Sequence, residues 1–119
     1  MRILVADDEP TVRATVARML ERRAAVPVIA ADGEEAERLL RTGTFDVVLL
    51  DVMMPKRTGY QLVPVVRETQ PDVPVILMSG YTDQAHGVEP PDSFLEKPFN
   101  ASMLEAAIQG ALRNGNGNP

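Results

Sequence analysis

Apolar residues along this chain follow two alternating spacings. Short unbroken runs begin near Ile3, Val26, Val47, Val73 and Phe94, and between them apolar residues recur every three or four positions with charged residues on the opposite side. A run of this length rich in valine, isoleucine and leucine suits a strand buried on both faces, and the intervening period is that of an amphipathic helix. The alternation therefore predicts an α/β fold. Five strands joined by right-handed crossover helices make a doubly wound parallel sheet, and the flavodoxin-like (βα)5 arrangement has strand order 2-1-3-4-5.

The helices carry their own punctuation. Pro10 suits a first-turn position, and the helix it opens presents Val12, Val16, Met19 and Leu20 on one face with Arg13, Arg18 and Arg22 on the other. Asp32, with Glu35 three residues on, caps a helix that buries Ala36, Leu39 and Leu40 and stops near Gly43. Thr58 and Gln61 repeat that pattern ahead of Leu62, Val65 and Val66, although Pro64 falls inside this helix and costs about 3 kcal/mol unless the helix kinks. Pro74 is tolerable only near the start of the fourth strand. Asn100 can cap the last helix, whose stripe is Leu104, Ala107, Ile108, Ala111 and Leu112. Residues 1–113 then form one domain, and the Asn-Gly tail at 114–119, with little to bury, is expected to be disordered.

Where the runs end is more informative than where they begin. The first ends in Asp7-Asp8-Glu9 and the third in Asp51, followed by Val52-Met53-Met54-Pro55. With the first and third strands adjacent, Asp7, Asp8 and Asp51 meet at the carboxyl edge of the sheet, the switch point where such folds bind ligands. At roughly 6 Å and an effective dielectric of about 20, each pair of carboxylates repels by about 3 kcal/mol. A divalent cation would offset that repulsion. Ser79 directly follows the fourth run and Lys97 the fifth, which brings a hydroxyl and an ammonium to the same rim. Each residue alone has a plainer reading, an acid at a strand end as a cap or turn residue and a lysine as a solvated charge.

Composition narrows the field. At 119 residues and 45% hydrophobic, the chain has room for one ordinary domain. A net charge of −5 disfavours nucleic acid or an anionic membrane as the main partner, and the absence of cysteine excludes disulfides and thiolate metal sites. No apolar run approaches membrane-spanning length, so a cytoplasmic protein is the expectation. His86, the only histidine, falls in a polar loop with nothing beside it to make a metal site.

Asp7-Asp8, Asp51 within LLDVMMP, Ser79 within VILMSG and Lys97 within FLEKPF, in this order and spacing, resemble the receiver domain of two-component response regulators, of the chemotaxis-regulator type. The wording MSGYTD with FLEKPF is also similar to receivers of hybrid sensor kinases. The resemblance implies a phosphoacceptor. Asp51 would take a phosphoryl group from a phosphohistidine of a histidine kinase or hybrid kinase, assisted by Ser79 and Lys97. Mg2+ would be held by Asp7, Asp8, Asp51 and the main-chain carbonyl of Met53. Such a domain is no enzyme acting on an outside substrate, but takes part in its own magnesium-dependent phosphorylation and dephosphorylation. The signal would pass to a separate protein, from a monomer or weak dimer.

Departures from the family pattern matter as well. The interval from Ser79 to Lys97 is several residues shorter than usual and contains Gly87, Pro90 and Pro91, so the fourth helix is expected to be short or missing. Phe94 matches the family's switch aromatic, or is simply a strand residue packed under the last helix. Apolar Met53 and Tyr81 flank the acceptor and would hinder an attacking water. A haloacid-dehalogenase-type hydrolase is the main competing reading, but it wants an acid where Met53 stands. An inert receiver-like module would ordinarily lack one of the acids or the lysine, and this chain has them all.

Overall fold

The computed structural model describes residues 1–80 and 89–115. Strand and helix alternate as the hydrophobic pattern requires as far as β4: β1 (Arg2–Ala6), α1 (Pro10–Arg22), β2 (Val26–Ala30), α2 (Gly33–Thr42), β3 (Val47–Asp51), α3 (Gly59–Thr69) and β4 (Val75–Ser79), with β5 (Ser93–Glu96) and α4 (Ala101–Gly115) the remaining described elements. All strands are parallel, in the order β2-β1-β3-β4-β5. This is the expected doubly wound sheet. The shortened helix anticipated between β4 and β5 concerns residues 81–88, which lie outside the described residues, as do Tyr81 and His86. No described helix is long and apolar enough to cross a membrane.

Alternation along the strands divides the core in two. Leu4, Ala6, Val48, Leu50, Val75 and Leu77 pack with Ala36, Leu40, Leu62 and Val66 under α2 and α3. Ile3, Val5, Val47, Leu49, Ile76, Met78 and Leu95 pack with Val16, Leu20, Leu104 and Ile108 under α1 and α4. β3 runs through the middle with all five residues buried. It is therefore the strand least able to move, and it carries Asp51.

Local signals explain most boundaries. The Asp32 carboxylate accepts from Glu35 N at 2.8 Å while Glu35 reaches back to Ala31 N at 2.8 Å. Thr58 and Gln61 complete a reciprocal cap at 3.2 and 2.9 Å, and Asn100 accepts from Met103 N at 2.9 Å. Such caps contribute about 1 kcal/mol each. α3 continues through Pro64, omitting the one backbone bond proline cannot donate, with Leu62, Val63, Val65 and Val66 buried on either side of it. β4 begins at Val75 rather than Val73; Pro74 contributes only its carbonyl, which accepts from Val48 N at 3.0 Å. α4 runs to Gly115, so Asn114 and Gly115, assigned above to the tail, are its last residues. Asparagine and glycine are common at helix ends, where backbone freedom is tolerated.

Two features had no signature in the periodicity. Gln70, which ends α3, fastens three backbone groups: its side chain donates to the carbonyls of Leu40 at 3.0 Å and Gly43 at 3.1 Å and accepts from Phe45 N at 2.9 Å. At the same end of the sheet, Arg2 donates to Asp46 Oδ2 at 2.7 Å from its main chain and to Thr44 O at 3.0 Å from its side chain.

α1 ends in a left-handed turn at Ala24, φ 61°, with Ala24 N donating to Glu21 O at 3.0 Å and Ala25 N to Leu20 O at 3.0 Å. This bonding suits glycine at the left-handed position, where a Cβ is strained. Ala24→Gly is expected to raise the unfolding free energy by about 0.5–1 kcal/mol. A urea midpoint that stays put or falls would contradict this account of the turn.

Candidate functional site

β1 and β3 pair with Ala6 opposite Leu50, so the acids that follow these strands reach one rim. Asp7 is wholly buried, Asp51 is 5% exposed, and Asp8 is open to solvent. One carboxylate oxygen from each lies within 4.8 Å of the other two. Local propensity gives no reason to gather three acids in this way. The arrangement holds because β1 and β3 are fixed from both sides by the core.

Lys97 supplies the countercharge. Its Nζ lies 2.8 Å from Asp7 Oδ2 and 3.4 Å from Asp51 Oδ2. The residue is placed by β5, since Lys97 N donates to Ser79 O at 2.8 Å just beyond the paired positions Ser79 and Glu96. The Lys97–Pro98 peptide bond is cis. Ser79 ends β4, half-buried, next to the Asp51–Met78 register position. Asp7, Asp8, Asp51, Ser79 and Lys97 thus occupy the carboxyl ends of four strands or the residues just beyond them, as the spacing predicted.

The electrostatics follow from burial. Burial lifts the Asp51 carboxyl to a pKa of about 7, the Asp7 charge adds to the rise, and Lys97 with the Met53 main-chain N–H partly offsets it. Burial disfavours the Lys97 ammonium, but its bond to Asp7 and the charges of Asp51 and Asp7 more than compensate, leaving its pKa raised. A group whose folded pKa rises from 3.8 to about 7 keeps a proton that the unfolded chain has released. Without divalent ions the fold therefore loses stability as pH rises through that window. The advantage of Asp51→Asn over the parent, measured by urea unfolding in chelator, is expected to grow from near zero at pH 4 to about 2–4 kcal/mol at pH 8, the upper figure being the full linkage and the lower allowing for screening by solvent at the open rim. Parallel curves for the two proteins would show that Asp51 carries no such burden.

Hard oxygen donors in a tight anionic group are what magnesium requires, whereas softer metals would want nitrogen or sulfur. Met53, whose carbonyl was expected to join this set, follows Asp51 by two residues and is 62% exposed at the mouth. Val52 N, just before it, extends the pairing with β4 by donating to Met78 O at 2.9 Å, and the chain then folds back so that Gly59 N donates to Val52 O at 3.0 Å.

Two sequence readings need correction. Phe94 does not pack under the last helix; it is 50% exposed on the opposite face of the sheet, its ring 6.4 Å from that of Tyr60 at the start of α3. The neighbouring Leu95 takes the place under α4. Arg13, assigned to the outer face of α1, is half-buried and donates from Nη1 to Asp7 O at 2.7 Å. A helical side chain leans toward its own N-terminus, and that direction was the available signal.

Comparison with known proteins agrees with this geometry. Residues 3–109 match the family described as the response regulator receiver domain. The chain is 38% identical over 119 residues to the probable transcriptional regulator ycf27 of Guillardia theta, covering 97% of this chain and 46% of that protein. It spans about half the length of the curated relatives it matches. Among solved structures, the response regulator TrrA of Thermotoga maritima, in complex with Mg(2+)-BeF, superposes with a TM-score of 0.84 at 30% identity, covering 93% of this chain and 98% of that one. The receiver domain of the hybrid histidine kinase CckA gives 0.79 at 34% identity, covering 94% and 99%. The fold, the order of the acidic, hydroxyl and ammonium residues along the strands and the match over most of the length agree: this chain is a member of the response regulator receiver domain family of two-component signalling.

Proposed function

We propose that Asp51 is the phosphoryl acceptor of this receiver and that Lys97, Ser79 and a magnesium site built on Asp7, Asp8, Asp51 and the Met53 carbonyl serve the transfer. The observation that carries the reading is the Lys97 ammonium shared between Asp7 and Asp51 beside the solvent-open Asp8. A phosphoryl group attached to Asp51 meets a cation already held at its acceptor oxygen.

The donor is a phosphohistidine on a histidine kinase or hybrid kinase. An Asp51 carboxylate oxygen attacks phosphorus, the P–N bond breaks, and the imidazole leaves with the bonding pair and takes a proton from solvent, leaving an acyl phosphate. Transfer of this kind depends on positioning and charge neutralisation more than on covalent assistance by the protein. When bound, magnesium supplies a positive charge at the oxygens of the transferred group. Lys97 holds one phosphoryl oxygen and the Ser79 hydroxyl donates to another. An apolar recess bounded by Val12, Thr15, Met19 and Phe99 opens beside Lys97, on the face a donor protein must cover to reach Asp51.

The domain is a phosphoacceptor that takes part in its own magnesium-dependent phosphorylation and dephosphorylation, in the cytoplasm, where its kinase partner presents the phosphohistidine. Phosphorylation biases the surface around Ser79 and Phe94 between two arrangements, and a partner protein reads the difference. The regulator that shares 38% identity is named for transcription, which favours a DNA-binding output carried by another segment or another chain. The receiver's own charge of −5 argues against direct contact with nucleic acid.

Incubation with acetyl phosphate and MgCl2, followed by intact mass measurement, is expected to show a gain of one phosphoryl group that chelator prevents and Asp51→Asn abolishes. An unchanged mass, or a gain that survives Asp51→Asn, would sink the assignment. Release of inorganic phosphate by continuous turnover without a phosphorylated protein would favour the hydrolase reading instead.

A further inference from the structure

Asp7 and Asp8 are joined by one peptide plane but live in different surroundings. Asp7 is tied at every polar atom: its N–H donates to Ala30 O at 3.2 Å, Oδ1 accepts from Glu9 N at 2.9 Å, Oδ2 from Lys97 at 2.8 Å, and its carbonyl from Arg13 at 2.7 Å. Asp8 is exposed and makes no hydrogen bond or ion pair among the described residues. Its carboxylate nevertheless lies with those of Asp7 and Asp51. The direction of Asp8 is therefore inherited from the backbone that delivers it.

Because the peptide unit is planar, the direction of the Asp7 carbonyl fixes the plane that carries the Asp8 nitrogen and Cα. The atom holding that carbonyl is Arg13 Nη1, on the fourth residue of α1. Charge does not explain an arginine here. A cation near a helix N-terminus is disfavoured by the helix dipole, and beside a magnesium site it repels the ion. Nor does Arg13 form an ion pair with any carboxylate among the described residues; its contact is with a carbonyl.

From this we infer that Arg13 is a positioning residue for the magnesium site, which orients the Asp7–Asp8 peptide and so aims Asp8 into the acidic cluster. The inference rests on the reading of that cluster as a magnesium site. A purely structural role, in which Arg13 only satisfies a buried carbonyl, would lower stability and leave the metal affinity of the folded protein unchanged.

Magnesium titration of the full chain, followed by amide chemical shifts and by calorimetry, separates these roles. Arg13→Met keeps the apolar stem and removes both donor and charge, and is expected to weaken Mg2+ binding about ten-fold. Loss of the charge alone would act in the opposite direction and tighten it. Arg13→Lys keeps the charge but places its donors on one more mobile nitrogen without the planar fork, and is expected to weaken binding by about three-fold. If Arg13→Met does not fold, Arg13→Lys decides alone. Folded variants that bind Mg2+ as tightly as the parent, or more tightly, overturn the role of Arg13. A parent chain that binds no Mg2+ overturns the reading of the cluster and this inference with it.

Discussion

Replacing Lys97 by methionine is expected to slow phosphorylation by acetyl phosphate at saturating Mg2+ by a factor of about 100 or more, the loss typical of removing one charged donor from a preorganised site. Two further effects should accompany it, with opposite signs. Without Lys97, the buried Asp7 and Asp51 carboxylates lose the cation that lies 2.8 and 3.4 Å from them. The metal-free protein should lose about 2–3 kcal/mol at pH 8, and less at pH 5, where Asp51 holds a proton. Magnesium, relieved of a competing cation, should bind more tightly. Tight metal binding with slow transfer marks a residue that acts on the transferred group. A variant phosphorylated at the parent rate would remove Lys97 from the mechanism.

Gly59→Ala is expected to cost about 2–4 kcal/mol of stability and most of the phosphorylation rate, although glycine to alanine at a helix start would ordinarily be mild. A Cβ at this position would lie 2.6 Å from Asp51 O, 3.1 Å from Asp51 C and 3.0 Å from Leu77 Cδ2. Side chains can retreat from such a contact, but the backbone of the central strand cannot, because β1 and β4 hold it on both sides. Either α3 withdraws, breaking the Gly59–Val52 bond and straining the Thr58–Gln61 cap, or Asp51 shifts from its place against Lys97. Urea unfolding and the mass assay read the two consequences separately. Parent-like values in both would show that the contact relaxes easily. Gly33 makes a still closer approach to the Arg57 backbone at the start of α2, tying the turn after Asp51 to a second helix.

Much of this arrangement was legible in the chain. The five apolar runs and one topological rule were enough to bring Asp7, Asp51 and Lys97 together, because each acts through its position at a strand end. The caps at Asp32, Thr58 and Asn100 are equally local, and their partners lie three residues away. What escaped notice depends on direction. A two-residue run at Phe94 and Leu95 leaves open which side chain faces α4, and only the register with β4 decides it. Arg13 sits with the polar residues of α1 by period, yet its side chain leans back to a carbonyl six residues earlier. Gln70 bonds to groups 25 to 30 residues away, beyond the reach of any local pattern. The left-handed turn at Ala24 was hidden because glycine, its usual marker, is absent.

A strand hemmed in along its whole length also determines where a chemical event at its tip can be felt. Bulk added at Asp51 finds no slack in β3, so displacement would be driven outward through the segments that follow β3 and β5. The far rim, lashed by Arg2 to Thr44 and Asp46 and by Gln70 to the end of α2, stays as a stationary frame. Dyes or spin labels attached there would serve as fixed origins against which motion at the opposite end could be triangulated.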